Sequence, residues 1–376
     1  MRKGEGNLIY LDHNATSPLL PEVLDAMKPW FGVPANPASA HRCGQAATIA
    51  VDEARYHVAR LINGDPTGVV FTSGATEGNH LFIRGMKDRL QTQGQSYAVS
   101  GIEHPCVLAA ADILERCGVH RKTLQASRSG QIILPGTPDE TIGLMSIMAA
   151  NHETGVIQPY DEAIDWCVRA GAALHIDATQ AAGRIALDLS RATGVVLSAH
   201  KMGGPGGVGA LVLQDGEPYP ALMGGGAQER GRRAGTVNTA GVVGFGKACE
   251  IAYIMVEKRA SMWQTLRDFG CDKLVRLGAT ITGESAVQNT IHAVFPNHLG
   301  ESIVQAMDLR GVCISAGAAC SSGSVEVSPV LQAMGIEHAK GAIRISMGPE
   351  TTKENIAECI AKLKETLEAL ESMWEF

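Results

Sequence analysis

Residues 172–201 read AALHIDATQAAGRIALDLSRATGVVLSAHK, and the fold turns on how this stretch is parsed. Ala172 to Ile176 and Val195 to Ser198 are short apolar runs of strand length, the pattern of strands covered on both faces. Each run ends on groups that a packed sheet has no use for, Asp177 after the first and His200 and Lys201 after the second. Asp177 and Lys201 lie 24 residues apart, which predicts one intervening βα step and brings both to the same sheet edge.

The same rhythm extends on either side. Gly68 to Thr72, Tyr97 to Ser100 and Gly143 to Ala149 read as strands; Thr76 to Leu90, His104 to Cys117 and Tyr160 to Ala170 read as helices. Strands alternating with helices predict βαβ units around a mainly parallel sheet, whose ligands bind beyond the carboxyl ends of the strands. After Val256 the pattern changes to a long charged helix (Glu257 to Leu277), four short strands (Ala279 to Thr282, Thr290 to Val294, Val312 to Ser315, Ala342 to Ser346) and a last helix, Lys353 to Trp374. The expected division is a large domain, residues 16–256, and a smaller α/β domain made of 1–15 and 257–376.

Composition removes several classes of function. A chain of 376 residues with 45% hydrophobic content builds a large core and is not disordered. A formal charge of −7 argues against a nucleic-acid partner, since phosphate neutralisation needs a basic face. No apolar run approaches the ~18 residues that read as a membrane span. Met1 to Asn7 is polar with no apolar core behind it, so a cytoplasmic protein is expected. The nine cysteines are odd in number and form no Cys-x-x-Cys pair, so neither a disulfide framework nor a resident metal site is expected. Most read as reduced, buried small hydrophobes.

Three features converge on the sheet edge, and a fourth lies in the C-terminal part of the chain. Thr72-Ser73-Gly74-Ala75-Thr76-Glu77 ends a strand and opens a helix, where backbone N–H groups hold an anion or where Ser73 or Thr76 simply caps. Asp177 either caps a following helix or, at that depth, needs a cationic partner; a protonated pyridine nitrogen serves, and with a Schiff-base lysine this is the pattern of pyridoxal phosphate (PLP) sites. His104, at the start of its helix, places a flat ring at the same edge or caps the helix. Cys320 sits in a run of small residues, Ser315 to Gly323, that offers nothing bulky to bury and reads as an exposed nucleophile.

Taken in order, Tyr10-Leu11-Asp12-His13-Asn14-Ala15-Thr16, Asn36-Pro37-Ala38-Ser39, the Thr72–Glu77 turn, His175-Ile176-Asp177-Ala178-Thr179-Gln180, Ser198-Ala199-His200-Lys201, Gly224-Gly225-Gly226, Arg233-Ala234-Gly235-Thr236, the Cys320 run and Ile343-Arg344-Ile345-Ser346 span nearly the whole chain. It resembles the NifS/IscS-like cysteine desulfurases, in the class V aminotransferase group of fold-type I PLP enzymes. The resemblance implies a large domain with a mainly parallel sheet flanked by helices plus a smaller α/β C-terminal domain. It implies that Lys201 binds PLP, Asp177 pairs with the pyridinium, His104 stacks on the ring and acts on protons, and Gln180 bonds the ring oxygen. Ala75, Thr76, Ser198 and His200 would form the phosphate cup, with Thr236 reaching the cofactor of the other subunit in an obligate homodimer. Arg344 with Asn36 would grip the substrate carboxylate. Cys320 would take sulfur from L-cysteine as a persulfide, leaving alanine, and pass it to an iron–sulfur scaffold or sulfurtransferase, serving for a moment as an iron–sulfur ligand.

The chain departs from the family's pattern at several points. His152 stands where an amide usually faces the cofactor, in Asn151-His152-Glu153. The glycine stretch has Gly206-Gly207 without the usual lysine, the cysteine run reads Gly-Ala-Ala-Cys, and the sequence closes at Phe376 soon after its last helix. A selenocysteine lyase, another class V aminotransferase or lyase, and a PLP-fold scaffolding protein are the competing readings.

Overall fold

The strands form where apolar residues run without interruption, because both faces of the main sheet are covered: all seven residues of Ile142–Met148 and all five of Gly194–Ser198 are buried. The computed structural model describes residues 8–214, 220–221, 223–283, 285–316, 328–336 and 339–372. In chain order the first part holds β1 (Ile9–Tyr10), α1 (Pro21–Met27), α2 (Arg42–Arg60), β2 (Val69–Thr72), α3 (Ala75–Gly85), α4 (Lys87–Gln93), β3 (Ser96–Ser100) and α5 (Pro105–Arg116). It continues with β4 (Arg121–Leu124), β5 (Ile142–Met148), α6 (Tyr160–Ala170), β6 (Ala173–Asp177), β7 (Gly194–Ser198) and β8 (Gly209–Leu213). The rest comprises α7 (Thr239–Arg276), β9 (Thr280–Thr282), β10 (Thr290–Val294), α8 (Gly300–Asp308), β11 (Val312–Cys313), β12 (Ser315–Ala316), α9 (Pro329–Ala333), β13 (Ala342–Ser346) and α10 (Lys353–Ser372).

Seven strands form the main sheet in the order β2-β8-β7-β6-β5-β3-β4. Only β8 runs against the rest, antiparallel to both β2 and β7. The other pairings, β3 with β4 and β5, β5 with β6, and β6 with β7, are parallel. Thr72, Ser100, Met148, Asp177 and Ser198 therefore end their strands at one edge. The mixed α/β architecture with a mainly parallel central sheet is the one expected. A four-stranded antiparallel sheet, β12-β13-β10-β9, and the parallel pair β1–β11 carry a second core that includes Leu11, Trp263, Ile291 and Ile345.

Three expectations need correcting. No α-helix lies between Asp177 and Lys201: β6 and β7 are parallel neighbours, but the crossover is built of turns. Ala178, Ala181 and Ala182 are fully or almost fully buried there, so these short side chains let the connection fold down as turns where helical periodicity was expected. The long helix begins at Thr239 rather than Glu257, capped by Asn238, whose side chain accepts the Gly241 N–H. Its glycines are packing residues, not breakers; a Cβ on Gly246 would lie 2.6 Å from Ala54 of α2. By length and composition α7 also suffices to cross a membrane, yet 56% of its most apolar stretch is buried inside the fold. Third, of the eight described cysteines only Cys167, Cys249 and Cys359 are buried, while Cys43 and Cys117 are exposed. The Cys320 reading lies outside the described residues.

Candidate active site

At the carboxyl edge of the sheet a cavity of about 370 Å³ opens, lined among others by Thr76, His104, His152, Asp177, Ser198 and Lys201. Its floor depends on a close approach. A Cβ on Gly209 of β8 would stand 2.7 Å from the backbone of Gly74, so only glycine lets the turn before α3 lie on the sheet. Around that turn the Ser73 N–H donates to Glu77 Oε2 (2.7 Å), and Arg233 clamps Glu77 Oε1 (2.8 Å). Ala75 and Thr76 thus occupy the open N-terminus of an eleven-residue helix, with Ser198 and His200 on the same cavity wall. This is a donor set suited to a phosphate. His200 Nδ1 lies 3.1 Å from Thr16 Oγ1, and burial with Lys201 nearby lowers its pKa to about 4, so it is neutral.

Asp177 is buried, its Oδ2 accepting from Asn79 Nδ2 (2.8 Å) and its Oδ1 from the Thr179 N–H (2.9 Å). Among the described residues no cation forms an ion pair with it, which leaves a fixed carboxylate fitted to a protonated ring nitrogen. Lys201 donates from Nζ to the carbonyls of Asn14 and Ala15, each at 2.7 Å. Burial, and then Arg184 and Arg344, bring its pKa down to about 8 against the opposing pull of Asp12 and Asp177. An amine so poised condenses readily with an aldehyde. Gln180 Nε2 donates to Asn14 O (3.0 Å) while its Oε1 accepts from Arg184 Nη1. Two buried polar atoms on this cavity's residues, Thr179 Oγ1 and His152 Nδ1, have no protein partner. The cavity size, the anion cup, the bare carboxylate and these orphaned atoms fit PLP.

His104 caps α5, its Nδ1 accepting the Cys106 N–H (3.3 Å). Its ring is exposed towards the cavity, although the surrounding protein still lowers its pKa by desolvation, with Lys201 adding and Asp177 opposing. The His152 ring meets it edge-on at 5.4 Å between centroids. Burial, then His104, Arg344 and Lys201, drive the His152 pKa down to about 3, so both imidazoles are neutral at physiological pH. Arg344 donates to His152 O (2.8 Å) and to Asp12 Oδ1 (2.7 Å), so its fork is held by protein acceptors and its buried Nε is left over.

The structure thus brings together Ala75, Thr76, His104, His152, Asp177, Gln180, Ser198, His200 and Lys201. It places Arg344 behind His152, off the cavity wall. Asn36 is exposed, its Oδ1 engaged by the Ala38 N–H, and lines no part of this cavity; Thr236 is exposed and likewise outside it. Sequence reasoning missed Cys106, Asn79, Arg184 and Glu103. Glu103 is buried beside His104, accepts the Met148 N–H (2.7 Å), and is pushed up to about 8 by burial and then Asp177. Arg184, buried with one unpartnered Nη2, is brought down to about 9 by burial. A buried acid and a buried arginine are the signals that mark them, and only the folded chain reveals burial.

A mainly parallel sheet with a lysine, an aspartate and a histidine gathered around an anion cup defines a PLP-dependent enzyme of fold-type I. Residues 9–358 match the class-V aminotransferase family, and the chain belongs to it. It is 37% identical to the cysteine desulfurase IscS of Dictyoglomus turgidum, over 97% of this chain and 96% of that protein. To the cysteine desulfurase IscS of Vibrio vulnificus it is 38% identical, over 97% and 94%. Among solved structures, a NifS-like protein superposes with a TM-score of 0.89 at 32% identity, covering 96% of this chain and all of the other.

Proposed function

We propose that this protein is a PLP-dependent cysteine desulfurase that converts L-cysteine to L-alanine and takes the sulfur onto Cys320 as a persulfide, for delivery to an acceptor in iron–sulfur cluster assembly or thiolation. One observation carries the reading: Lys201, Asp177 and His104 converge on a single cavity beside an anion cup. Full-length relatives named cysteine desulfurase support the choice of substrate.

The chain's own groups divide the work. Ala75, Thr76, Ser198 and His200 hold the phosphate, and Asp177 holds the ring nitrogen protonated. His104 covers the ring, while Gln180 and His152 address its oxygen side. PLP, when bound, supplies the electron sink that makes the substrate α-proton removable. Lys201 Nζ takes that proton and returns it, a task suited to an amine titrating near 8. Arg344, exchanging Asp12 for the substrate, grips the carboxylate with help from Asn36. Thr236 serves the cofactor of a second subunit, which makes the working unit a homodimer. Cys320 acts as an iron–sulfur ligand only in passing. The catalytic division is a large unit, 16–256, and a small one, 1–15 with 257–376, in the cytoplasm.

The test is a pair of spectra. Wild type with PLP should absorb as a lysine-bound cofactor and yield alanine from L-cysteine. Lys201→Ala should lose both; an unchanged Lys201→Ala spectrum would sink the assignment.

A further inference from the structure

Cys106 lines the same cavity as His104, yet the reaction gives it no part. Its neighbours fix every proton around it. The Asp177 carboxylate accepts only, so the Asn79 amide must point Nδ2 at Oδ2 (2.8 Å) and Oδ1 at His175 Nε2 (3.0 Å). His175 therefore carries its proton on Nε2, and its Nδ1 accepts from Ser146 Oγ (3.0 Å), which in turn accepts from the Tyr97 hydroxyl (2.8 Å). Asn79 Nδ2 has a second proton, directed at Cys106 Sγ (3.2 Å). On the other side the Cys106 N–H donates to His104 Nδ1 (3.3 Å), so that nitrogen carries no proton. The remaining contact, Cys106 Sγ to His104 Nδ1 at 3.0 Å, is then a thiol donating to a lone pair.

Resting on the PLP reading of this cavity, we infer that Cys106 is a positioning residue: its thiol, oriented by Asn79 and hence by Asp177, holds His104 as the neutral tautomer with its proton on Nε2. The resting histidine is thereby a hydrogen-bond donor, and the group that contacts the ring nitrogen is tied through two side chains to the group that stacks on the ring.

The physical consequence is a pH dependence. A donor to Nδ1 stabilises the neutral imidazole alone and so opposes protonation. The other charged or titratable groups around His104 are Asp177 at the end of β6, which favours the cation, Lys201 after β7, which opposes it, and His152 after β5, neutral itself. Glu103, next in the chain, turns its carboxyl to the Met148 N–H. The thiol is itself raised to about 11 by burial and then Asp177, so it remains a donor throughout the working range.

The experiment is a nitrogen-15 NMR titration of labelled histidines in the PLP-loaded protein, with His104 assigned by His104→Gln. Wild type should show the Nε2-protonated tautomer. Cys106→Ala should raise the His104 pKa by about one unit, a tenfold change in protonation, and move the acid limb of kcat/KM for L-cysteine upward with it. Cys106→Ser, which keeps a donor, should stay near wild type in both. Cys106→Val provides the same test if the alanine variant fails to fold. An Nδ1-protonated His104, or a donorless variant titrating as wild type does, overturns the proposal. If the protein proves unable to bind PLP, the reading of the site falls, while the histidine titration still decides the tautomer.

Discussion

Lys201 is tuned by its surroundings. Its amine is held by two carbonyls and surrounded by Arg184 and Arg344, and its pKa falls to about 8. Below that pH the amine is a cation and cannot attack; above it the amine is free. Loading of apo-protein with PLP should therefore quicken as pH rises from about 6 and level off above about 8, measured by stopped-flow absorbance. A rate still climbing steeply at pH 10 would mean an unperturbed lysine. Asp177, Lys201, His104 and Thr76 were legible in the sequence because each lies at a strand end or within four residues of one, where position in the chain fixes position at the edge. Asn79 was not. It meets Asp177 across 98 residues, on the inner face of α3, and nothing local to it announces the contact. Cys106 was read among bland thiols for the same reason. Cys320, expected from the sequence to be an exposed nucleophile, lies outside the described residues.

The elements show why the edge is a site at all. Parallel strands end together, and the Gly74 turn lies on β8 only because Gly209 has no side chain. Gly209→Ala should push the start of α3 away from the sheet. The expected cost is about 1–3 kcal/mol of stability, seen in urea unfolding, with PLP affinity falling at least as steeply, seen in an equilibrium titration. Wild-type affinity in Gly209→Ala would show that the cup does not depend on this contact. Strand positions were largely readable, since fully buried strands are unbroken apolar runs. The turn-built crossover between β6 and β7 was not: alternation of strand and helix is a rule about averages, and here alanines tucked under the sheet replace the helix. The early start of α7 was hidden because glycines that serve close packing against α2 read locally as helix breakers.

At the scale of the molecule, Asn14 joins the parts. Its amide Nδ2 donates to Thr290 Oγ1 (2.9 Å) and its Oδ1 accepts from Asn289 (3.2 Å), binding the N-terminal segment to the β10 region. Its carbonyl meanwhile accepts from Gln180 and Lys201 at the cavity. Asn14→Ala leaves buried partners unsatisfied and should cost about 1–3 kcal/mol. The carbonyl that receives Lys201 survives this substitution, but the side-chain bonds to Thr290 and Asn289 fix where it stands, so the lysine-bound cofactor band should also weaken; a stability loss with an intact band would confine the Asn14 side chain to scaffolding. Whether sulfur leaves L-cysteine on Cys320 is decided by one comparison. Wild type and Cys320→Ala, both loaded with PLP, are incubated with L-cysteine, and the protein-bound persulfide is measured by mass spectrometry alongside alanine and, after reductant, sulfide. Wild type should carry a persulfide on Cys320 with equimolar alanine, and the variant should show neither persulfide nor comparable sulfide release. Sulfide released by Cys320→Ala at the wild-type rate would rule out Cys320 as the sulfur carrier.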